Sequence, residues 1–174
     1  MQSHGDDVVR TEDAVEPGHD VLRDVDFIVS YGFRHIIPAA VLAPFGNSAV
    51  NLHISLLPWN RGADPNLWSF LESTPKGVTI HILDEGLDTG PVLVQREVAA
   101  RDDDTLASSY ERLTGAIEEL FCEAWGDIRS CSIAPSPQTG AGSSHKAADK
   151  VPYEHLLIAG WDTPVTGLIG AALP

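Results

Sequence analysis

Three side chains in this sequence could do chemistry together: the amide of Asn51, the imidazole of His53 and the carboxylate of Asp88. Asn51 and His53 stand two apart in Ala49-Val50-Asn51-Leu52-His53-Ile54. That run reads as a strand, so both side chains face the same side of a sheet. Asp88 follows in Leu87-Asp88-Thr89-Gly90-Pro91, a tight turn able to bring its carboxylate against His53. An amide N–H and an imidazolium can stabilise an oxyanion. A neighbouring carboxylate can hold the imidazole, favour its protonated form and help move a proton. These residue types suit acyl transfer to an amine.

The elements that must position them alternate between strand and helix. Residues 26–31 read as a short, buried strand, broken by Gly32. Pro38 starts a helix over residues 39–43, and Asp64 with Pro65 caps and starts another through Leu71. Residues 77–83 and 91–98 read as further strands. Asp104, or Thr105 after it, caps a long helix. Its positions Leu106, Tyr110, Leu113, Ile117, Leu120, Phe121 and Ala124 predict one buried face. Residues 133–144 have loop composition, and an apolar tail follows. Before residue 25 only residues 7–10 read as a strand candidate. The class expected is α/β, with ligands at the carboxyl ends of strands.

The bulk properties narrow the partners. A length of 174 residues with 43% hydrophobic content fits one folded domain. No apolar run reaches membrane-spanning length and the first residues do not read as a signal peptide, so the cytoplasm is the expected location. The net charge of −14 opposes a nucleic-acid partner, because Arg96, Arg101, Arg112 and Arg129 are scattered among acids. Cys122 and Cys131 are too far apart for a metal-type pair and read as core filling, so no metal site is expected.

With Ser55-Leu56-Leu57-Pro58 and Gly77-Val78-Thr79-Ile80-His81 added, the order and spacing resemble the folate-dependent formyltransferases. That family includes the glycinamide ribonucleotide, methionyl-tRNA and sugar N-formyltransferases. The resemblance runs over about residues 26–129 and implies a Rossmann-like fold with a mostly parallel sheet. It identifies Asn51, His53 and Asp88 as catalytic residues, with His81 supporting them. It further implies 10-formyltetrahydrofolate as co-substrate. The pterin would be gripped by Phe33, Arg34, His35, Ile36 and Ile37 after the first strand, with Asp84 and Glu85 in the closing loop. Core packing competes for the apolar members of that set, and Arg34 and His35 read equally as solvated. Trp59, Asn60 and Arg61 flank the site and could contact the acceptor, whereas Trp68 reads as core.

The sequence departs from the family where residues 1–25 replace the usual strand, Gly-rich turn, helix and strand. This leaves a short N-terminal remnant or extension, a catalytic core over 26–131, and a loop and tail over 132–174. A second copy completing the site as a homodimer stays open. The expected activity is N-formylation of a small-molecule amine, such as an amino sugar nucleotide or natural-product precursor. Hydrolysis of formyl-tetrahydrofolate, or an inactive folate-binding or oligomerising remnant, are the alternatives.

Overall fold

The computed structural model describes residues 5–173. In chain order the elements are β1 (Ile28–Tyr31), α1 (Ala39–Leu42), β2 (Ala49–His53), β3 (Arg61–Gly62), α2 (Pro65–Leu71), β4 (Gly77–Ile82), β5 (Val92–Glu97), α3 (Leu106–Arg129) and β6 (Ser144–His145). The α/β class expected from the sequence holds. The main sheet has the order β1-β2-β4-β5. Parallel pairing is confined to β1 with β2, while β2–β4 and β4–β5 are antiparallel. The sheet is therefore mixed where a mostly parallel one was expected. Connection length explains one pair, since the turn over residues 83–91 is too short for β5 to return parallel to β4, whereas β2 and β4 are antiparallel across the long connection that carries β3 and α2.

β4 is central and buried at every position. β1, expected to be buried, is half-buried because it forms an edge of the sheet. No strand forms over residues 7–10, which run irregularly. Just before them, the Asp6 carboxylate accepts from Trp125 Nε1 at 2.7 Å and pairs with Arg129.

The helix α3 begins where Thr105 caps it. Thr105 Oγ1 accepts from Ser108 N at 3.2 Å, and Ser108 Oγ accepts from Thr105 N at 3.0 Å. Its buried face then sets Leu113, Ile117, Leu120, Phe121, Trp125 and Ile128 against Val50, Leu52, Val78 and Ile80. Tyr110 departs from the expected face and is exposed beside Trp161, with ring centroids 5.1 Å apart. Ser109 takes the buried position, its hydroxyl donating to Asn66 Oδ1 at 2.8 Å. Both cysteines are exposed, contrary to the core reading. Cys122 lies one step round the helix from buried Phe121, and Cys131 lies past the last turn.

A second core joins α2 to the tail, with Leu67, Trp68, Phe70 and Leu71 packed against Leu106, Val165 and Leu168. Trp68 is core, as expected, and stacks on His145 at 3.7 Å. The short strands β3 and β6 pair in parallel, so residues 144–145 are stitched beside the turn that follows β2. Among the described residues no helix is long and apolar enough to cross a membrane.

Ile117 is fully buried between α3 and the sheet. Replacing it by Ala should cost about 2–5 kcal/mol in urea unfolding, whereas Cys122→Ser should stay within about 0.5 kcal/mol. Equal costs for the two substitutions would contradict this packing.

Candidate active site

The antiparallel register of β2 and β4 sets Asn51 opposite His81 and His53 opposite Thr79. Strand alternation does the rest: Val50, Leu52, Val78 and Ile80 turn to α3, and the four polar side chains turn to the other face. Asp88 reaches that face from the turn after β4, with its own backbone in the left-handed region at φ 55°. Its carboxylate sits among the other three. Oδ1 accepts from Asn51 Nδ2 at 3.0 Å and lies 3.4 Å from His81 Nε2. Oδ2 accepts from Gly62 N at 2.8 Å and lies 3.6 Å from His53 Nδ1. The sequence-derived trio is thus together in space, and His81 joins it.

Ring orientations follow from groups that can only accept. His53 Nε2 lies 3.1 Å from the Asn60 carbonyl oxygen, so that nitrogen carries a proton and Nδ1 faces Asp88. His81 Nδ1 donates to the Ile82 carbonyl at 2.9 Å, and its Nε2 lies 3.3 Å from Asn51 Nδ2 and 3.4 Å from Asp88 Oδ1. The amide nitrogen of Asn51 is therefore turned inward, donating to Asp88 and lying beside His81.

Burial governs the charges. It pushes the His53 imidazole below its ordinary range, against the pull of Asp88. Asp88 favours the protonated ring, as expected from the sequence, but loss of solvent opposes it and prevails, which leaves Nδ1 available as a proton acceptor. Burial also pushes the Asp88 carboxyl up, but the His81 and His53 rings and the Gly62 N–H together hold it at about 2. Asp88 is the fixed anion of the site.

The turn after β2 holds this arrangement in place. Asn60 is fully buried with φ 55°, its Oδ1 accepting from Thr74 Oγ1 at 2.8 Å and its N–H donating to Ser143 Oγ at 3.0 Å. Gly62 must lack a side chain, since a Cβ there would lie 2.3 Å from the His145 carbonyl oxygen. Ser55 is a turn-bonding serine, donating to the Trp59 carbonyl at 2.8 Å. Arg61, read as free for an acceptor, is turned onto Gln138 Oε1 through Nε at 2.9 Å and Nη2 at 2.7 Å.

The segments expected to hold a pterin flank the strands. Phe33, Arg34, His35, Ile36 and Ile37 follow β1, with Ile36 80% exposed and the Phe33 and His35 rings 5.4 Å apart. Asp84 and Glu85 are exposed in the turn after β4, where Asp84 Oδ1 accepts from Gly86 N and Thr89 Oγ1. No hydrogen bond joins the two segments among the described residues. Sequence reasoning missed the amide of Gly62, the carbonyl of Asn60 and the side chain of Gln138. The first two act through the backbone, and Gln138 sits in a segment that reads only as loop.

An amide, two imidazoles and a carboxylate meet on one face of an α/β sheet, a set of groups suited to acyl transfer. The model of the formyl transferase family matches residues 13–125, and the chain belongs to that family. A methionyl-tRNA formyltransferase of Thermodesulfovibrio yellowstonii is 41% identical over 116 residues, 66% of this chain and 38% of that protein. A dTDP-4-amino-4,6-dideoxyglucose formyltransferase of Mycobacterium bovis is 36% identical over 128 residues, 73% of this chain and 54% of its own. The chain thus spans about half the length, or less, of these curated relatives. The crystal structure of the formyltransferase PseJ from Anoxybacillus kamchatkensis superposes with a TM-score of 0.96 at 54% identity, covering 98% of this chain and 90% of that one. It was solved in complex with UDP-4,6-dideoxy-4-formamido-L-AltNAc and tetrahydrofolate.

The two shifts have the same sign for stability. Asp88 is held lower folded than unfolded, so its stabilisation is complete above about pH 4 and drains away as pH falls toward 2. His53 is also lowered, so below its ordinary 6.5 the unfolded chain takes the proton first and folding weakens. In urea titrations at stepped pH, Asp88→Asn should remove roughly 2 kcal/mol of the loss between pH 5 and 2. A variant that tracks the wild type through that window would refute the assignment of Asp88 as the depressed carboxylate.

Proposed function

We propose that this chain is the catalytic core of an N-formyltransferase that moves a formyl group from 10-formyltetrahydrofolate to the amine of a nucleotide-linked amino sugar. The observation that carries this reading is the convergence of Asn51, His53 and His81 on the buried Asp88 carboxylate. The likeness to PseJ supports the substrate class, because the formamido sugar in that crystal is what formylation of a UDP-linked amino sugar would yield. In this reading residues 26–131 carry the chemistry, and residues 132–174 buttress it.

The carrier supplies an activated formyl group when bound. The residues present fit such a ligand: Ile36 and Leu87 leave apolar side chains 80% and 52% exposed on the two segments flanking the site. Phe33 and Ile37 belong with them, the backbone of 33–37 can read the edge of a flat amide-like ring, and Asp84 and Glu85 border the opposite side. The work of the chain's own residues then follows. Asn51 turns one N–H from Asp88 toward oxygen that gains negative charge. His53 Nδ1 takes the proton released by the attacking amine and returns it to the departing folate nitrogen as the carrier's bond to the formyl carbon breaks, with Asp88, 3.6 Å away, stabilising the imidazolium in between. His81 keeps Asn51 and Asp88 in register. Nothing in these steps calls for a metal.

The net charge of −14 favours a small acceptor over RNA, whose backbone binds through clustered cations. Arg61, held on Gln138, is a cation beside the site, and a nucleotide-linked sugar needs few such groups. The cytoplasm, where a reduced folate and a sugar nucleotide meet, is the proposed location.

Mass spectrometry of reactions with formyl-folate and a panel of UDP- and dTDP-linked amino sugars, run beside charged initiator tRNA, tests the reading. The expected product is a formylated sugar nucleotide. His53→Asn and Asp88→Asn should each lower turnover by about 100-fold or more. Formate alone would indicate a hydrolase, and formylated tRNA with untouched sugars would overturn the acceptor class.

The co-substrate is checked separately by thermal shift. Saturating tetrahydrofolate should raise the melting temperature through linkage to the folded state. Ile36→Asp should weaken that shift. An unmoved melting curve, with no heat of binding by calorimetry, would remove folate from the proposal.

A further inference from the structure

The carboxylate of Asp88 is placed by its backbone, and that backbone is held by a residue from a distant loop. Gln138 lies in the 133–144 segment and uses its whole amide. Its oxygen accepts from Arg61 Nε at 2.9 Å and Nη2 at 2.7 Å. Its nitrogen donates to the carbonyl oxygens of Asp88 and Gly90, each at 2.8 Å. The segment is itself anchored two residues earlier, where Ser136 exchanges backbone hydrogen bonds of 2.8 and 2.9 Å with Val92. Gln138 thus has a fixed base and bridges two turns.

Both turns bear on the same carboxylate. One carries Asp88, whose φ of 55° is a conformation few non-glycine residues adopt unaided. It also carries Gly90, pressed so closely on β4 that a Cβ would lie 1.8 Å from the Ile82 carbonyl oxygen. The other carries Arg61 and Gly62, and Gly62 N donates to Asp88 Oδ2. A shift of either turn would change the distance from Oδ2 to both Gly62 and His53.

We propose that Gln138 is a positioning residue, locking the Asp88 turn to the Arg61–Gly62 strand so that the carboxylate stays divided between Asn51 and His53. The proposal rests on the formyl-transfer reading only for its kinetic consequence. Gln138→Ala removes both halves of the bridge. Gln138→Glu keeps the length and the Arg61 contact but sets a carboxylate oxygen against two carbonyls, so it removes the clamp on Asp88 while preserving the fold.

Both variants should keep the wild-type circular dichroism and an unchanged KM for folate, while kcat falls roughly 10- to 100-fold, the order expected for a misplaced group. Nitrogen NMR of the His53 ring gives a readout that needs no turnover. With Asp88 released, His53 should titrate at lower pH than in the wild type. Wild-type kcat and an unchanged His53 titration in the folded variants would overturn the proposal. So would a rise in KM alone, which would make Gln138 part of the acceptor surface, or loss of folding in both variants, which would make it structural. If the wild type transfers no formyl group yet the His53 titration still moves, the functional reading fails and the positioning role stands.

Discussion

A buried carboxylate imposes the strictest condition on this molecule. The Asp88 side chain is 9% exposed, and an anion so placed is tolerated only when its lone pairs are met. Donors and rings from three segments meet it: Asn51 and His53 on β2, His81 on β4, and the Gly62 amide on β3. None of these is local to Asp88 in the chain, so the anion demands one register between β2 and β4 and one position of the turn that follows. A slip of a single residue would carry Asn51 and His53 to the opposite face. That face is already committed, because Val50, Leu52, Val78 and Ile80 must meet α3. The core and the site are two sides of one alternation.

Two of the residues with left-handed backbone belong to this arrangement. Asp88 and Asn60 both sit at φ 55°, a cost of about 1–3 kcal/mol each for residues with a side chain. They lie on either side of His53, one presenting a carboxylate to Nδ1 and the other a carbonyl to Nε2. Each strained residue is tied down by several hydrogen bonds, and individual bonds of that kind contribute about 1 kcal/mol. The strain fixes which nitrogen of His53 is free. With Nε2 committed to a carbonyl and burial disfavouring the charged ring, Nδ1 is left as an acceptor that strengthens its partnership with Asp88 on taking a proton.

Strand alternation, the cap at Thr105 and the Asn-x-His spacing were legible in the sequence because each is a local pattern of side-chain types. The trio of Asn51, His53 and Asp88 was legible through the resemblance to a family motif, since Asn-x-His alone reads as an ordinary strand end. Gly62 and Asn60 were not, since a main-chain amide or carbonyl leaves no signature in residue identity. Tyr110 and Cys122 show the limit of periodicity: an apolar residue one helical step from the core face looks much like one on it. The pull of Asp88 on His53 can be inferred from a motif, whereas the opposing loss of solvent is a property of the assembled fold. Likewise, the parallel character of the sheet was overestimated where a short turn allows only an antiparallel return.

The support of Asp88 divides into two parts with different physical character. The sheet part, with Asn51 and His81 on paired strands backed by α3, is rigid and lies within residues 13–125, the region matched by the family. The loop part comprises the turn bearing Asn60 and Gly62 together with Gln138, Ser143 and His145, and those last three fall outside the matched region. Sheet and loops thus both bear on the Asp88 carboxylate, the first through Asn51 and His81, the second through Gly62 and Gln138. Since Gln138 ties its loop to the Asp88 backbone, a change in that loop must preserve the bridge or find another donor for the two carbonyls. Loop variation near this site is constrained by hydrogen-bond geometry even where the sequence reads as featureless.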